Sequence, residues 1–226
     1  PDLSNVETFK EQCLAESGVS GDLKIPSAKG DIGYRAFYKT AITSISDLGS
    51  VVRLNPYVNW GSGNPYGTFD SCKQLVTAVL PETLTTIGHF CFNACSILES
   101  IHFPESIEVI GDSAFQNCPV LQIDSLRLPN LKELGNQSFL NCSKLKRVDD
   151  LGVLQVVPGT NGSNASWPFC GCTSLEFVRL PQTVTTLGTQ YRNPFHNLTS
   201  LKTLICEAVT PPTLSAAGSM PNVTIY

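Results

Sequence analysis

The sequence predicts a solenoid: a right-handed horseshoe of short parallel strands, mostly β and loop, formally α/β because a short capping helix is expected at the N-terminus. Three observations predict it. A phenylalanine-cysteine-leucine signature recurs about every 23 residues, apolar residues two apart follow each leucine, and proline and glycine sit at fixed offsets beyond them.

The signature is regular. Phe69, Phe92, Phe115, Phe139 and Phe169 are each followed three residues later by Cys72, Cys95, Cys118, Cys142 and Cys172, and three further on by Leu75, Leu98, Leu121, Leu145 and Leu175. Phe195 continues the series with Leu198 and Leu201, so the cysteine position is expected to want a medium apolar side chain rather than a thiol as such. Pro81, Pro104 and Pro181 precede Gly88, Gly111 and Gly188 by seven residues, and Pro129 precedes Gly135 by six. The unit reads F-x-x-C-x-x-L-x-x-[IV]-x-[LF]-P-x-x-[LIV]-x-x-[IL]-G. Its [IV]-x-[LF] step has strand periodicity, the proline ends the ladder, and the glycine is expected to make a tight turn at positive φ. One such unit buries too few apolar side chains to offset the entropy of ordering it, so the copies must stack on a shared core.

Segments such as LPETLTTIGHFCFNACSILESIHFP and LPQTVTTLG resemble the BspA-type leucine-rich repeats of surface proteins from gut and oral anaerobic bacteria. The resemblance covers about residues 69–206, and the close of the chain, from Leu204-Ile205-Cys206 to Thr224-Ile225-Tyr226, is similar to the way family members end their arrays. It implies a leucine-rich-repeat solenoid with an N-terminal cap at 1–24, degenerate first repeats at 25–68, repeats at 69–206 and an end of the array at 207–226 whose cap is incomplete. In the cap, Ser4 and Glu7 form a capping box and Val6, Phe9 and Cys13 share a helical face, which predicts the short helix. Pro26, Gly33 and Phe37 keep the repeat's offsets and mark a degenerate first unit. Two inserts, Asn55–Thr68 and Pro158–Trp167, each follow an Asp-Leu-Gly, at 47–49 and 150–152, and are expected to be loops of one variant repeat.

Composition narrows the function classes. With 226 residues, 42% apolar content and a net charge of −4, the chain can bury a large core and shows no basic run interleaved with aromatics, which argues against a nucleic-acid partner. No stretch approaches eighteen apolar residues, so no membrane span is expected, and any lipid anchor would lie outside this sequence. The start at Pro1 is read as that of a mature or trimmed fragment.

The nine cysteines are odd in number and fall in the repeat column, so buried structural thiols are expected rather than disulfides; Cys91 with Cys95 and Cys170 with Cys172 lack the second pair a zinc site needs. His89, His102 and His196 fall in separate units with no nucleophile elbow, so no catalytic residue is assigned. Relatives can carry a dockerin-like segment, yet the stretch from Glu16 to Ser27, with Gly18, Ser20 and Gly21, lacks most carboxylate ligands for calcium. Neither metal nor cofactor is expected. Sequons at Asn136, Asn141, Asn161, Asn164, Asn197 and Asn222 matter only in a eukaryotic secretory pathway.

The strand face is the remaining candidate site. If the [IV] and [LF] positions point inward, the residues beside them point outward: Thr77, Val79, Ser100, His102, Ser125, Arg127, Arg147, Asp149, Phe177, Arg179, Thr203 and Ile205. Of these, Ser100, His102, Arg127, Arg147, Asp149, Phe177 and Arg179 are the candidate ligand contacts, with an exposed Phe177 beside Arg179 as the anchor. Tyr57, Trp60, Tyr66 and Trp167 are the candidate contacts on the inserts. The function expected is a monomeric, non-enzymatic binding protein, extracellular or on the outer cell surface, engaging a protein or glycan ligand in adhesion or recognition. Two alternatives remain: a carbohydrate-binding accessory of a polysaccharide-utilising system, which needs the insert aromatics exposed, and a hydrolase, which needs a histidine in reach of a nucleophile.

Overall fold

A computed structural model describes residues 2–56, 66–157, 167–187, 198–208 and 210, and the backbone of 213–214 and 224–225. Every strand pairs in parallel with its counterpart one coil away. One ladder runs through Ser20–Lys24, Ala41–Asp47, Thr77–Val79 and Ser100–His102, then resumes through Leu126–Arg127, Arg147–Asp150, Phe177–Leu180, Thr203–Cys206 and Thr224–Ile225. A second runs through Lys29–Ile32, Ser50–Leu54, Thr86–Ile87, Val109–Ile110 and Glu133–Leu134, then Val156–Val157, Thr186–Leu187 and Thr213–Leu214. The break in the first ladder has a sequence cause. Leu121 lies five residues before Leu126, where other units place the inward strand residue three after the leucine, and in the two extra residues the chain makes a single bridge, Ile123 to Leu145.

Among the described residues the third side of the coils carries no regular element, yet its amides are hydrogen-bonded from coil to coil. Phe90, Phe92 and Ala94 donate their N–H groups to Asp112, Ala114 and Gln116 of the next coil at 2.7–3.0 Å, and Ser113, Phe115 and Asn117 repeat this onto Asn136, Ser138 and Leu140. These donors point to the following coil, whereas in the first strand ladder Glu99 donates back to Val76 of the preceding one. Left-handed residues four apart turn alternate amides along the solenoid axis: Phe90 and Ala94, Ser113 and Asn117, Gln137 and Asn141, all at φ 55–64°. The repeat glycines are required for another reason than the turn expected of them. At Gly88 a Cβ would stand 1.9 Å from the Asn55 carbonyl oxygen, and at Gly135 it would stand 2.3 Å from the amide of Asp112, so they allow coils to touch.

The expected N-terminal helix is replaced by a degenerate coil, and the described residues contain no helix. Gln12, Leu14 and Glu16 donate to the carbonyls of Tyr34, Ala36 and Tyr38, with Gln12 and Glu16 at positive φ as in the later coils. A helix would use those amides internally and leave the carbonyl row of residues 34–38 without donors. Phe9 bridges to Ile32 and packs on Phe37, whereas Cys13 is exposed, so the helical face does not form. The horseshoe of parallel strands stands, without its helical component.

The core is one column. Phe9, Phe37, Phe69, Phe92, Phe115, Phe139 and Phe169 stack ring on ring at 5.2–5.6 Å, and from Phe37 onward adjacent rings are within 18° of parallel. The cysteines are more than fillers. The thiols of Cys72, Cys95, Cys118, Cys142 and Cys172 donate to the carbonyls of Phe37, Phe69, Phe92, Phe115 and Phe139 of the preceding coil at 3.1–3.3 Å, so the thiol itself is used. Leu198 is buried at the same position without a donor, and Phe195 lies outside the described residues. All nine cysteines are free. Both Asp-Leu-Gly turns are the same: Asp47 and Asp150 accept the amides of Gly49 and Gly152 at 2.8 and 2.9 Å, with both glycines near φ +60°.

Burial pushes the thiols of Cys91 and Cys118 up to about 12 and that of Cys72 to about 11. A thiol-reactive probe is therefore expected to modify only Cys13, Cys170 and Cys206 in the native protein and all nine after denaturation; labelling of Cys95 or Cys118 in the fold would contradict the column. Burial also raises the Asp70 carboxyl from 3.8 to about 6, although Ser71 and Asn93 donate to it. The fold thus holds that proton more tightly than the unfolded chain. Its contribution is full below about pH 4 and is lost as pH rises to about 6, roughly 2–3 kcal/mol in all. Chemical denaturation across that window should show this loss in the parent protein and not in Asp70→Asn. Finally, Ala94→Gly relieves a left-handed alanine and is expected to raise stability by about 0.5 kcal/mol, whereas Ala114→Gly, at a buried site without positive φ, should lower it by about 1 kcal/mol or more. Equal signs for the two would refute the turn geometry.

Candidate functional site

The strand alternation sets two files of outward side chains on the first ladder. In one, Arg147 stands beside Phe177 and Phe177 beside Thr203; in the other, Arg179 stands beside Ile205. In the N-terminal part of this face Ser44 and Ser46 donate to Asp22, followed by the small side chains Thr77, Val79 and Ser100, with His102 exposed and 3.3 Å from Glu82. Beyond the ladder break the face changes character, and Arg127, Arg147, Asp149, Phe177 and Arg179 come together from three successive coils. Ser100 and His102 lie on the other side of the break.

The geometry of this cluster is fixed by paired groups. Arg147 grips Asp149 with a fork, Nε to Oδ2 at 3.1 Å and Nη2 to Oδ1 at 2.7 Å, and Ser125 donates its hydroxyl to Asp149 Oδ2 at 2.7 Å. The Arg147 contact, aided by Ser125, holds the Asp149 carboxyl below the usual carboxylate range. The Arg147 guanidinium also lies 4.0 Å from the Phe177 ring centre, and that of Arg179 lies 6.0 Å away. Phe177 is accordingly half-buried rather than the exposed anchor expected: the flanking arginine from the preceding coil covers it. Arg179 pairs with Glu207 at 2.9 Å. Arg127 is exposed and makes no hydrogen bond or ion pair among the described residues, although it stands near enough to Asp149 to favour its ionised form.

Residues that strand alternation did not single out complete the site. A groove of about 520 Å³ opens where the chain leaves these strands, lined by Arg127, Asp149 and Arg179 together with Asp150, Leu151, Gly152, Val153, Pro181, Gln182, Thr183 and Glu207. Its central wall is the second Asp-Leu-Gly turn. That motif was legible as a repeat variant, whereas the reach of Glu207 across to Arg179 has no signature at a separation of 28 residues.

Among the described residues, the insert aromatics Tyr66 and Trp167 do not form a second site. Trp167 is 5% exposed and meets Phe169 edge-on at 5.2 Å, so it belongs to the core and not to a ligand platform. Tyr66 is half-buried against Tyr38 at 4.7 Å, with the Arg35 guanidinium 4.8 Å from its ring. Tyr66 is held by the preceding coil, and Trp167 packs on the phenylalanine of its own coil. Tyr57 and Trp60 lie outside the described residues.

His89 has a structural place. Its Nδ1 accepts the amide of Asp112 at 2.9 Å, Asn55 donates to its carbonyl, and burial pushes its imidazole toward the neutral form. The buried thiols nearby are raised, the opposite of an activated nucleophile. Glu16 lies near Arg35 and Lys39, and Gly21 is within a strand, so the segment from Glu16 to Ser27 belongs to a coil of the solenoid. Among the described residues no group of three or more His, Cys, Asp or Glu is placed to hold a metal, and no helix is long and apolar enough to cross a membrane.

Comparison with known proteins agrees with this architecture. The family model described as BspA type leucine rich repeat region matches in six copies over residues 2–64, 65–155 and 156–210. Among solved structures, the leucine-rich repeat protein TpLRR of T. pallidum is 24% identical, with a TM-score of 0.61 over 81% of this chain and 78% of that one. A leucine-rich repeat protein from Bacteroides ovatus is 20% identical (TM-score 0.47, 98% of this chain and 66% of that one). A leucine-rich cell surface protein from Faecalibacterium prausnitzii is also 20% identical (TM-score 0.49, 94% of this chain and 64% of that one). No curated protein matches. The family model covers nearly the whole chain, and the stacked coils are its repeats: the chain belongs to the BspA-type leucine-rich repeat family, whose fold is a scaffold for binding and recognition.

Proposed function

We propose that this chain is a cell-surface or secreted recognition protein that engages a protein or glycan ligand through the C-terminal half of its strand face, in adhesion or capture rather than in catalysis. One observation carries the reading. Five candidate residues from three coils, Arg127, Arg147, Asp149, Phe177 and Arg179, share one patch that combines an aromatic ring with guanidinium groups, a composition favoured at binding hot spots. The solenoid supplies rigidity, because Arg147–Asp150 and Phe177–Leu180 under the patch are paired on both sides and Leu126–Arg127 on one, so little ordering accompanies binding. A family fold that serves as a binding scaffold supports the same reading. The carbohydrate-accessory alternative loses one insert aromatic to the core and finds the other half-covered.

The test is capture from arrays of immobilised matrix proteins and glycans. Whichever ligand the parent protein retains, Phe177→Ala combined with Arg179→Ala is expected to weaken its capture at least tenfold while the thermal melt still shows a folded protein. Undiminished capture by the folded double variant would remove this face as the binding surface.

A further inference from the structure

We infer that the groove beside the strand face, bounded by Arg127 and Arg179, is a subsite for a carboxylate-bearing sugar, a uronate-type residue of an acidic glycan; this rests on the strand-face reading above and names the ligand class. The argument begins with charge. Arg147 and Asp149 satisfy one another, Arg179 is paired with Glu207, and Asp150 accepts the amide of Gly152. Arg127 is the groove-lining cation left without a hydrogen bond or ion pair among the described residues. A guanidinium presents a planar fork of donors that matches a carboxylate in two parallel hydrogen bonds; an anion arriving there breaks no hydrogen bond of Arg127, and the fork must outweigh repulsion from Asp149, Asp150 and Glu207, which line the same groove.

The remaining lining favours a sugar over other carriers of a carboxylate. Asp150, Gln182, Thr183 and Glu207 offer donors and acceptors suited to neighbouring hydroxyl groups, and Val153, half exposed, offers a small apolar wall to a ring's C–H face. The groove of about 520 Å³ lies within the range of small-ligand sites. An acidic peptide fits less well. An extended peptide binds a sheet mainly through a free strand edge; Arg147–Asp150 and Phe177–Leu180 are paired on both sides, and Leu126–Arg127, which ends its sheet, is only two residues long. A docked helix needs an apolar trough, which charged residues here replace.

The experiment is isothermal titration of the whole protein with tri-galacturonate, with neutral galactotriose and a glutamate-rich peptide as parallel probes. Tri-galacturonate is expected to bind with one-to-one stoichiometry and galactotriose at least tenfold more weakly. Arg127→Gln should weaken tri-galacturonate at least tenfold, Arg127→Lys should fall between because it keeps the charge and loses the fork, and Arg53→Gln, on the second ladder, should match the parent. No binding of tri-galacturonate by the parent, or equal binding by folded Arg127→Gln, would overturn the proposal. So would binding of the peptide alone with the same dependence on Arg127, which would assign the groove to a protein ligand. If Arg127→Gln leaves array capture intact while the Phe177 and Arg179 double variant abolishes it, the strand-face reading survives and the groove assignment fails.

Discussion

Everything in this molecule depends on one coil sitting on the next at the spacing of two hydrogen-bonded strands, about 4.8 Å. At that rise the phenylalanines fall ring over ring, 5.2–5.6 Å apart, and each cysteine thiol comes within 3.1–3.3 Å of the phenylalanine carbonyl one coil back. The carbonyl has a second lone pair that no amide reaches, and burial would leave it unused. A thiol is small enough for the column and still donates. Thr40 holds the corresponding place three residues after Phe37, but its hydroxyl, on a shorter bond, turns to its own Phe37 carbonyl at 2.9 Å.

The same constraint explains where the chain departs from the consensus. Two extra residues between Leu121 and Leu126 cannot be absorbed inside the column, so the first ladder lets go there, while the second still pairs Val109–Ile110 with Glu133–Leu134. The second ladder is interrupted in turn between Glu133–Leu134 and Val156–Val157, where the Asp-Leu-Gly turn intervenes. The interruptions are offset by about one coil, so no cross-section loses both ladders at once. At the first interruption the surface changes to the arginine-rich patch, and the groove forms against the Asp-Leu-Gly turn that lies beside the second.

Charge on this face is organised by distance across coils rather than along the chain. Arg147 forks onto Asp149 two residues away, but Asp149 also receives Ser125 from one coil back, and Arg179 reaches forward to Glu207. Such exposed pairs contribute little to stability individually. Their effect is to fix orientation, holding Phe177 under a guanidinium and leaving Arg127 without a hydrogen bond or ion pair among the described residues.

The sequence by itself determined the repeat, its register and the inward or outward sense of the strand residues, because periodicity two and a period near 23 follow from local backbone geometry and need no knowledge of what each coil meets. It also placed the two variant turns. Only the tertiary structure decided what depended on the neighbouring coil. The N-terminal segment became a coil and not a helix, because the carbonyls of residues 34–38 needed donors that a helix would have consumed. Trp167 went into the core, because Phe169 offered an edge to pack on, and Phe177 lost its exposure to an arginine one coil back. The groove was illegible for the same reason: its walls come from residues as far apart as 127 and 207, joined by stacking that no local pattern encodes.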